Sequence, residues 1–552
     1  MIKGRTGEKE TITLTNFQMS SNVVVQKENK SNEDAEQRLT NNDPQLAKIF
    51  PEELAGWHGY IEWENYPERC KKANEILTAH KGQFTQIPEF QLKPLPETNP
   101  ILIGHRWKEY FAVLGPTLKD VPGESWATVQ KEKAADMIHV LDFPYNGEPP
   151  RDKLMQNKTT PNEYHFVRNH GGIPTIDEKA YRLTIGGLVN KPQTLTLADL
   201  QDVNKFEPVE LTVTLQCSGT RRIEQIHEYP GEGDELINAP WGEGAISTAR
   251  YRGVSLKKVL KYCGGMQADA NHVEFIGADT YFKKLNVFNY AVSVPRRKVE
   301  AVNEVLLVWE MNGKPLPAIH GAPIRVVVTG FIGARSCKWL ARINVLNEPS
   351  RGPVQRQEYL YYGPQVGKQN VLFSNGFSIQ EMPVSSAIMT PKDKEVVVHQ
   401  GKIHVTGWAY SGGSRWIERV DVSPDGGHIW YQCHPDDMTE KHYHAWRLWK
   451  IDLPVVAEGW LELCVRAFDN ACNTQPTFVR STWNWDLHVT SSSHRIKIYS
   501  VNASHKATAQ RLREIEEHGD SLEPITRPLM FRIESEEHYE EDIKKHPRDP
   551  VD

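Results

Sequence analysis

The sequence predicts an α+β domain over residues 151–375, followed by an all-β domain over residues 376–501. In the first region, short β-rich runs such as ELTVTLQC and APIRVVVTG alternate with short helical patterns, at a spacing too irregular for a regular series of β-α-β units. In the second region, runs such as GKIHVTGWAY and WLELCVRAFD alternate apolar and polar residues, as strands with one buried face do.

Local patterns define several elements within these two regions. Thr196 and Asp199 form a capping-box pattern that predicts a helix over LTLADLQ. Ser255 is expected to begin the next helix, and the glycine pair at 264–265 is expected to end it. The Asp-Gly-Gly run at 425–427 predicts a hairpin turn. About seven strands in roughly 110 residues predict an immunoglobulin-like β-sandwich for the second region.

The regions on either side of these domains are more polar. Residues 1–45 contain few aromatic side chains and are expected to form a mobile tail. Residues 46–150 form an N-terminal extension of unknown role, in which helical patterns over 68–80 and 125–141 alternate with proline-rich connectors. Residues 502–552 form a charged C-terminal extension, which predicts a solvated helix or a loosely wrapped segment.

Length and composition exclude several classes of protein. The chain has 552 residues, 39% of them hydrophobic, and its net charge of -6 gives no indication of a nucleic-acid partner. No apolar run approaches the ~20 residues of a membrane span, and the N-terminus lacks the apolar core of a secretory signal. The seven cysteines are scattered singly, so we expect a soluble protein in a reducing compartment, the cytoplasm being favoured and the mitochondrion the alternative.

The most informative stretch for chemistry is LQCSGTRR, residues 215–222. A β-rich run ends at Cys217, and Arg221 and Arg222 follow a few positions later. A thiolate beside two guanidinium groups is suited to bind a soft metal or to attack an electrophile. The alternative, which these residues alone favour slightly, is a buried strand cysteine followed by two surface arginines.

Two further stretches concentrate cations and glycines. The run FVRNH at 166–170 precedes two glycines and offers several donors to an anionic or heteroaromatic ligand. The runs HGAPIR at 320–325 and ARSCKW at 334–339 place cations at both ends of a β-run, an arrangement that suits a phosphate-like group. The alternatives are a polar loop with a glycine turn and a core strand with ordinary solvated cations.

In this order and spacing, the three stretches resemble the family of sulfite oxidases and eukaryotic nitrate reductases. The resemblance extends over about residues 155–500 and includes YRLTIGGLV at 181–189, PWGEGAISTA at 240–249, WEMNGKPLP at 309–317 and AWRLW at 445–449. It implies a sulfite-oxidase-type molybdopterin-binding domain of mixed sheets and short helices over 151–375, and an immunoglobulin-like dimerisation domain over 376–501. It also implies a Mo-pyranopterin cofactor. Because the N-terminal extension contains no His-Pro-Gly-Gly stretch, the usual mark of a small haem module, a molybdenum-only form with no haem in this chain is expected.

The resemblance further implies roles for individual residues. Cys217 is the expected ligand to molybdenum, since a thiolate is a soft donor that suits a metal also held by the sulfurs of the pterin. The expected cofactor-binding residues are Phe166, Val167, Arg168, Asn169, His170, Asp279, His320, Arg325, Ser336, Cys337 and Lys338. The expected catalytic residues are Arg168, Arg222, Tyr359, Arg447 and Trp241, whose three guanidinium groups would hold a small dianion.

Some of these assignments have plain structural alternatives. Without the resemblance, Asp279 could be a turn residue, Tyr359 could belong to the core, and Arg447 could be an exposed strand residue beside two core tryptophans.

The function that the resemblance implies is the molybdenum-dependent oxidation of sulfite to sulfate, by oxygen-atom transfer at a cysteine-ligated molybdenum–oxo centre. The electrons would pass singly to an external acceptor: cytochrome c, another soluble carrier or oxygen. The ARSCKW run and the arginine of AWRLW favour sulfite over nitrate. A homodimer is expected, without nucleic acid or a membrane span. The alternatives are a nitrate-reductase-like molybdoenzyme, an inactive structural relative and an ordinary thiol enzyme built on Cys217.

Overall fold

The structure is a computed structural model that describes residues 91–94, 111–114, 123–141, 144–228, 239–283, 286–366, 372–519 and 521–522. The expected mobile tail over 1–45, the helical pattern over 68–80 and most of the charged C-terminal extension lie outside these residues. The described residues form mixed sheets with short helices, followed by two facing β-sheets, which confirms the predicted fold class.

The first domain and the segment before it consist of many short strands with short helices between them. In chain order these elements are β1 (Gln91–Pro94), β2 (Phe111–Leu114), α1 (Gly123–Glu132), β3 (Ile138–Leu141), β4 (Asn146–Glu148), α2 (Arg151–Met155), β5 (Val167–Arg168), β6 (Leu183–Gly187), β7 (Gln193–Leu195), α3 (Leu197–Gln201), β8 (Val209–Gln216), α4 (Arg222–Glu228), β9 (Ile246–Ser255), α5 (Leu256–Tyr262), β10 (His272–Lys283), β11 (Asn286–Pro295), α6 (Arg296–Glu300), β12 (Val305–Met311), β13 (Lys314–Pro315), β14 (Arg325–Val328), β15 (Leu340–Leu346), α7 (Pro353–Arg356), β16 (Leu360–Tyr362) and β17 (Gly376–Ser378). Single turns of 3-10 helix lie at Ala318–His320, Gly333–Arg335 and Phe373–Asn375.

Two larger sheets organise this domain. One has the strand order β11-β10-β15-β6-β7 and is antiparallel except for the parallel pair of β15 with β6. The other has the order β13-β12-β9-β8, and β14 also pairs with β12. Strand β14 is buried along its whole length and β12 along most of it, which explains the nearly continuous apolar runs VLLVW and VVV in the sequence.

The helices of the first domain follow the predicted signals. The hydroxyl of Thr196 accepts a hydrogen bond from the Asp199 N–H at 3.0 Å, and the Asp199 carboxylate accepts one from the Thr196 N–H at 2.9 Å, which confirms the capping box. Helix α5 ends at Tyr262, and the glycines at 264–265 have φ values of 77° and 84°. Ser255 precedes this helix as predicted, but its side chain makes no capping hydrogen bond.

Part of the N-terminal extension belongs structurally to this domain. Helix α1 ends at Glu132, and residues 138–141 form β3 instead of continuing the predicted helix, because the apolar, partly β-branched run IHVL pairs with β4. The carboxylate of Glu132 accepts hydrogen bonds from the N–H groups of Ala318 and Ile319, at 3.0 and 2.8 Å. The extension therefore caps the short helix that carries His320.

The second domain is a β-sandwich of two sheets with a hydrophobic core between them. One sheet has the order β18-β20-β23 and the other β19-β25-β24-β21-β22. The predicted turn at 425–427 joins β21 to β22, and both of its glycines have positive φ. In chain order the elements are β18 (Ser385–Thr390), β19 (Val396–His399), β20 (Lys402–Tyr410), β21 (Ile417–Ser423), β22 (Tyr431–Gln432), β23 (Arg447–Pro454), β24 (Gly459–Asp469), β25 (His494–Asn502) and α8 (Lys506–His518), with 3-10 turns at Pro435–Asp437 and Val479–Ser481.

Helix α8 opens the C-terminal extension and is mostly exposed, as a solvated helix should be. It is attached to the sandwich where the hydroxyl of Thr508 donates to the carboxylate of Glu458 at 2.7 Å. Among the described helices, none combines the length and the apolar character that a bilayer crossing requires.

The two domains are joined by direct hydrogen bonds to strand β8 and the loop that follows it. The Thr214 N–H donates to the carbonyl of His444 at 2.8 Å, and the Trp446 N–H donates to the Thr214 hydroxyl at 2.8 Å. Further along, the Val489 N–H donates to the carbonyl of Ser218 at 2.6 Å. The second domain therefore supports the loop that carries Cys217.

Candidate active site

A cavity lies in the first domain, where several elements end. Arg168 ends β5, Cys217 directly follows β8, Arg325 begins β14, and Lys338 precedes β15. The three predicted stretches, which are far apart in sequence, thus meet at one place. The residues that line the cavity are His165, Phe166, Val167, Arg168, His170, Leu215, Cys217, Asp279, Tyr290, His320, Arg325, Gly333, Ala334, Ser336, Lys338 and Tyr359.

Cys217 is held in a fixed position at the cavity wall. Its N–H donates to the carbonyl of Ala245 at 2.9 Å, and the Gly219 N–H donates to its sulfur at 3.4 Å. Burial alone would lower the pKa of the Arg168 guanidinium, but its electrostatic interactions with Tyr359 and Cys217 raise that pKa above its ordinary value. A sulfur that accepts a backbone N–H and lies near a half-buried cation is suited to serve as one soft ligand to a metal.

Gly219 allows two large side chains to approach the loop after Cys217. A Cβ atom at this position would lie 2.6 Å from Nη2 of Arg222 and 2.7 Å from Cδ1 of Trp241. Arg222 and Trp241 are almost fully buried, so neither can easily move away. These two residues do not line the cavity itself; they lie behind the loop that carries the cysteine.

Tyr359 presents its hydroxyl near the same cysteine. This hydroxyl lies 2.7 Å from Nε2 of His170, and the guanidinium carbon of the buried Arg335 lies 5.9 Å from the centre of the tyrosine ring. Burial raises the pKa of Tyr359 to about 12, against the opposing charge of Arg168. The phenol therefore keeps its proton at neutral pH and can donate a hydrogen bond.

The opposite part of the cavity is lined by cations around one carboxyl group. The guanidinium of Arg325 donates to the carbonyls of His320 and Ser336, at 3.1 and 3.3 Å. The pKa of Lys338 lies well below its ordinary value, mainly because the group is buried and secondly because of the charge of Arg325. The interaction with Asp279 opposes this effect. Burial raises the pKa of Asp279 to about 7, against the attraction of Lys338.

Three polar atoms around this cavity have no hydrogen-bond partner among the residues that the structure describes: Asn169 Nδ2, Asp279 Oδ1 and Arg325 Nε. Leaving such atoms buried and unsatisfied costs free energy, so their position beside one cavity indicates a polar ligand. The set contains two donors and one acceptor beside several cations, which matches a heteroaromatic ring that carries a phosphate. The donor set therefore fits a phosphorylated pterin.

Two of the expected cofactor-binding residues lie just behind the cavity wall. The amide oxygen of Asn169 accepts a hydrogen bond from the Lys338 ammonium, which also donates to the Ile319 carbonyl at 3.3 Å. The carbonyl of Cys337 accepts from the Val326 N–H at 2.8 Å, and burial strongly raises the pKa of its thiol. In this structure both residues support their neighbours.

Arg447 is not brought to the cavity, which corrects the expectation that it completes a ring of three arginines. Its Nε donates to the carbonyl of Thr439 at 2.6 Å, and its Nη1 donates to that of Ile417 at 3.1 Å. Because Arg447 pairs with Ala409 at the start of β23, its side chain is used within the sandwich.

His488 contacts the site, although no sequence pattern pointed to it. It belongs to the segment WDLHV between β24 and β25, and it is almost fully buried. Its Nδ1 lies 3.2 Å from Nη2 of Arg222, and its ring stacks on that of Tyr359 at a centroid distance of 5.2 Å. The apolar neighbours Leu487 and Val489 indicate that this segment is buried, but they do not indicate which part of the protein it packs against.

Comparison with protein families gives two adjacent matches. Residues 170–354 match the oxidoreductase molybdopterin binding domain, and residues 376–501 match the Mo-co oxidoreductase dimerisation domain. The chain therefore contains an oxidoreductase domain that binds molybdopterin, as its sequence predicted, followed by a dimerisation domain.

Several characterised proteins are similar to this chain. Human mitochondrial sulfite oxidase is 41% identical over 361 residues, which cover 64% of this chain and 64% of the human protein. Sulfite oxidase of Arabidopsis thaliana is 36% identical over 64% of this chain and 91% of the plant protein. Barley nitrate reductase [NAD(P)H] is 35% identical over 71% of this chain and 45% of its own length. The chain thus spans slightly less than two thirds of the mammalian relatives it matches.

The fold has a counterpart among solved structures. The sulfane dehydrogenase SoxCD from Paracoccus pantotrophus superposes with a TM-score of 0.53 at 25% identity, over 65% of this chain and 85% of the SoxCD chain. The cysteine-bearing cavity, the two matched domains and the identity to sulfite oxidases agree with one another. The chain belongs to the sulfite oxidase family of molybdopterin oxidoreductases.

Proposed function

We propose that this protein oxidises sulfite to sulfate with a molybdenum cofactor. The observation that carries the proposal is the meeting of Cys217, Arg168 and Tyr359 at one buried, cationic cavity. The identity of 36 to 41% to named sulfite oxidases supports the same reaction. When bound, the cofactor supplies the two-electron oxygen-atom chemistry of the reaction.

The chain's own residues would hold this cofactor by complementary polar contacts. Cys217 provides the single soft ligand to the metal. The unsatisfied Nδ2 of Asn169 and Oδ1 of Asp279 provide a donor and an acceptor for a pterin ring. Arg325 and Lys338 provide charge-assisted donors for the phosphate. His320 completes this end, because burial and the charge of Lys133 hold its pKa well below its ordinary value and keep the ring neutral.

The other end of the cavity would bind the substrate. The half-buried guanidinium of Arg168 lines the cavity and would attract a small dianion, and the charge of the buried Arg222 behind the wall would add to this attraction. The hydroxyl of Tyr359 can donate a hydrogen bond to one of the oxygens of the dianion. Fixed donors in a site with little water stabilise developing charge without reorganising during the reaction. Trp241 lies against Gly219 together with Arg222 and does not line the cavity.

Sulfite is preferred over nitrate as the proposed substrate. The ARSCKW run supports sulfite, as does the identity of 41% to human sulfite oxidase against 35% to barley nitrate reductase. Arg447, which also favoured sulfite from the sequence, no longer supports it, because its side chain lies within the sandwich. Oxidation of sulfite with water yields sulfate, two protons and two electrons. An external acceptor, which is cytochrome c, another soluble carrier or oxygen, would receive these electrons one at a time.

We infer that the chain forms a homodimer through the dimerisation domain at 376–501, and we expect no haem in this chain. We infer a cytoplasmic location from the single cysteines, with the mitochondrion as the alternative, since the mammalian relatives are named mitochondrial. Fractionation of cells that express the natural chain separates the two compartments.

The function is tested by adding sulfite anaerobically to the purified protein. We expect one molybdenum per chain, a change in the metal's absorption spectrum and the formation of sulfate. Absence of molybdenum would support an inactive relative, and reduction of nitrate without oxidation of sulfite would support the nitrate-reductase-like alternative. In the ordinary thiol enzyme, iodoacetamide would react with Cys217 stoichiometrically, whereas a metal-bound sulfur is protected.

A further inference from the structure

His488 links the second domain to the loop that carries Cys217. Its Nδ1 lies 3.0 Å from the hydroxyl oxygen of Ser218 and 3.2 Å from Nη2 of Arg222. Its ring is nearly parallel to that of Tyr359, with an interplanar angle of 25°. One imidazole therefore contacts both Tyr359, which lines the cavity, and Arg222, which lies behind its wall.

The backbone around His488 adopts an unusual conformation. Leu487 and Val489, on its two sides, have φ values of 52° and 55°, in the left-handed region that a β-branched residue rarely adopts. Two hydrogen bonds compensate: Asn484 Nδ2 donates to the His488 carbonyl at 2.7 Å, and the Val489 N–H donates to the Ser218 carbonyl at 2.6 Å. Strained backbone that is fixed from several sides is typical of functional sites.

The hydrogen bond to Arg222 determines the protonation of His488. Because a guanidinium group only donates hydrogen bonds, Nδ1 of His488 must accept, and the imidazole is neutral with its proton on Nε2. That nitrogen lies 3.9 Å from the carboxylate of Asp486. Burial, followed by the charges of Arg222 and Arg168, holds the pKa of His488 well below its ordinary value, in agreement with a neutral ring.

The guanidinium of Arg222 is oriented by three acceptors in different parts of the chain. Its Nε donates to the Leu487 carbonyl at 2.9 Å, its Nη1 to the Ala239 carbonyl at 2.7 Å, and its Nη2 to His488. Two of these three acceptors belong to the same strained segment of the second domain. This segment therefore helps to set the plane of the Arg222 guanidinium.

We propose that His488 is a positioning residue, which orients Arg222 and Tyr359 for binding of a small oxyanion by accepting a hydrogen bond from Arg222. The inference rests on the proposed function and adds to the same site a residue from the second domain.

Two substitutions separate the acceptor from the ring that carries it. In His488→Asn, the amide oxygen takes the place of Nδ1 and can still accept from Arg222, whereas His488→Leu keeps a similar volume without any acceptor. His399→Leu is the matched control, since His399 is a buried histidine of the same domain that bonds to Ser500 at 2.7 Å and does not line the cavity.

The probe is inorganic sulfate, titrated into the purified holoenzyme in a calorimeter, together with kcat and KM for sulfite. We expect His488→Leu to weaken sulfate binding and raise KM by about tenfold to a hundredfold, with a smaller change in kcat. His488→Asn should recover most of the affinity, and the control should keep that of the wild type. Wild-type affinity in His488→Leu, or equal losses in both His488 variants, would overturn the proposal.

Other outcomes distinguish this inference from the proposed function. If the wild type binds sulfate but does not oxidise sulfite, and His488→Leu still loses the binding, the positioning role stands and the proposed function fails. If the wild type binds no sulfate, the positioning role is wrong. Should His488→Leu fail to fold, nitrogen NMR of the wild-type histidines decides, because a proton on Nδ1 of His488 contradicts the acceptor role.

Discussion

Substitution of Gly219 by alanine tests whether the loop after Cys217 owes its shape to a missing side chain. The added Cβ would lie 2.6 Å from the Arg222 guanidinium and 2.7 Å from the Trp241 ring, whereas non-bonded heavy atoms rest at about 3.5 Å. Either the two side chains or the loop must therefore move by roughly 0.8 Å. Because Arg222 is held by three acceptors, we expect the loop and the sulfur of Cys217 to share the shift.

The expected effect of Gly219→Ala has two parts. Overpacking of a buried site costs about 1–3 kcal/mol in free energy of unfolding. Displacement of Arg222 by somewhat less than 1 Å should lower kcat/KM for sulfite by about tenfold to a hundredfold. Both are measurable, by denaturant unfolding and by steady-state kinetics at equal molybdenum content.

Gly186 provides a matched control within the same domain. It lies in β6, and a Cβ there would have no heavy atom within 4 Å. Gly186→Ala should therefore change the free energy of unfolding by less than about 0.5 kcal/mol and leave the kinetics unchanged. If Gly219→Ala behaves like this control, then Arg222 and Trp241 do not depend on the glycine, and the account of the loop is refuted.

Three further substitutions test separate parts of the site and its support. Cys217→Ser should abolish sulfite oxidation, because a hydroxyl is a poor ligand for a metal that prefers soft donors; sulfate formation at a measured molybdenum content checks this. Arg447→Ala should lower the free energy of unfolding by about 3 kcal/mol, because two hydrogen bonds from a charged group are lost. The KM for sulfite should stay within twofold of the wild type. A raised KM would show that Arg447 belongs to the site. Glu148→Gln should stabilise the protein above pH 7. Burial and the charge of Glu243 raise the pKa of Glu148 to about 7, so the folded state binds more protons than the unfolded state between about pH 4.5 and 7, and stability is lost as the pH rises through this range. Glutamine keeps only one of the two oxygens that accept from the N–H groups of Gly242 and Gly244, which reduces the gain. In urea unfolding, the free energy of unfolding should rise by about 2 kcal/mol at pH 8, and this gain should vanish near pH 5. An equal gain at both pH values would contradict the raised pKa.

Much of the fold could be predicted from the sequence because its signals are local. The capping box at Thr196 and the turn at 425–427 depend on residues a few positions apart, and both form as expected. The helix predicted over 125–141 was wrong beyond Glu132, because the pairing of residues 138–141 with another strand overrides the local helical pattern.

The composition of the cavity was harder to predict from the sequence, because it depends on which distant segments meet in the fold. The stretches around Arg168, Cys217 and Lys338 could be selected for their chemistry, and the structure brings them together. Arg447 also offered a guanidinium group, but the register of its strand directs its side chain into the sandwich. Sequence spacing does not determine that register. His488 carried no signal, since the left-handed conformations of its neighbours depend on tertiary contacts.

The need to hold buried guanidinium groups with fixed acceptors explains why the site needs both domains. Buried guanidinium groups are costly unless fixed acceptors replace their water, and the acceptors here are mostly backbone carbonyls from remote segments. Arg222 takes one such carbonyl from Ala239 in the first domain and one from Leu487 in the second, while Arg325 uses those of His320 and Ser336. Carbonyls fix the cations without neutralising them, so the cavity keeps its positive charge. An anion that enters can thus meet donors whose orientation has already been set by the fold, which is the condition for efficient electrostatic stabilisation.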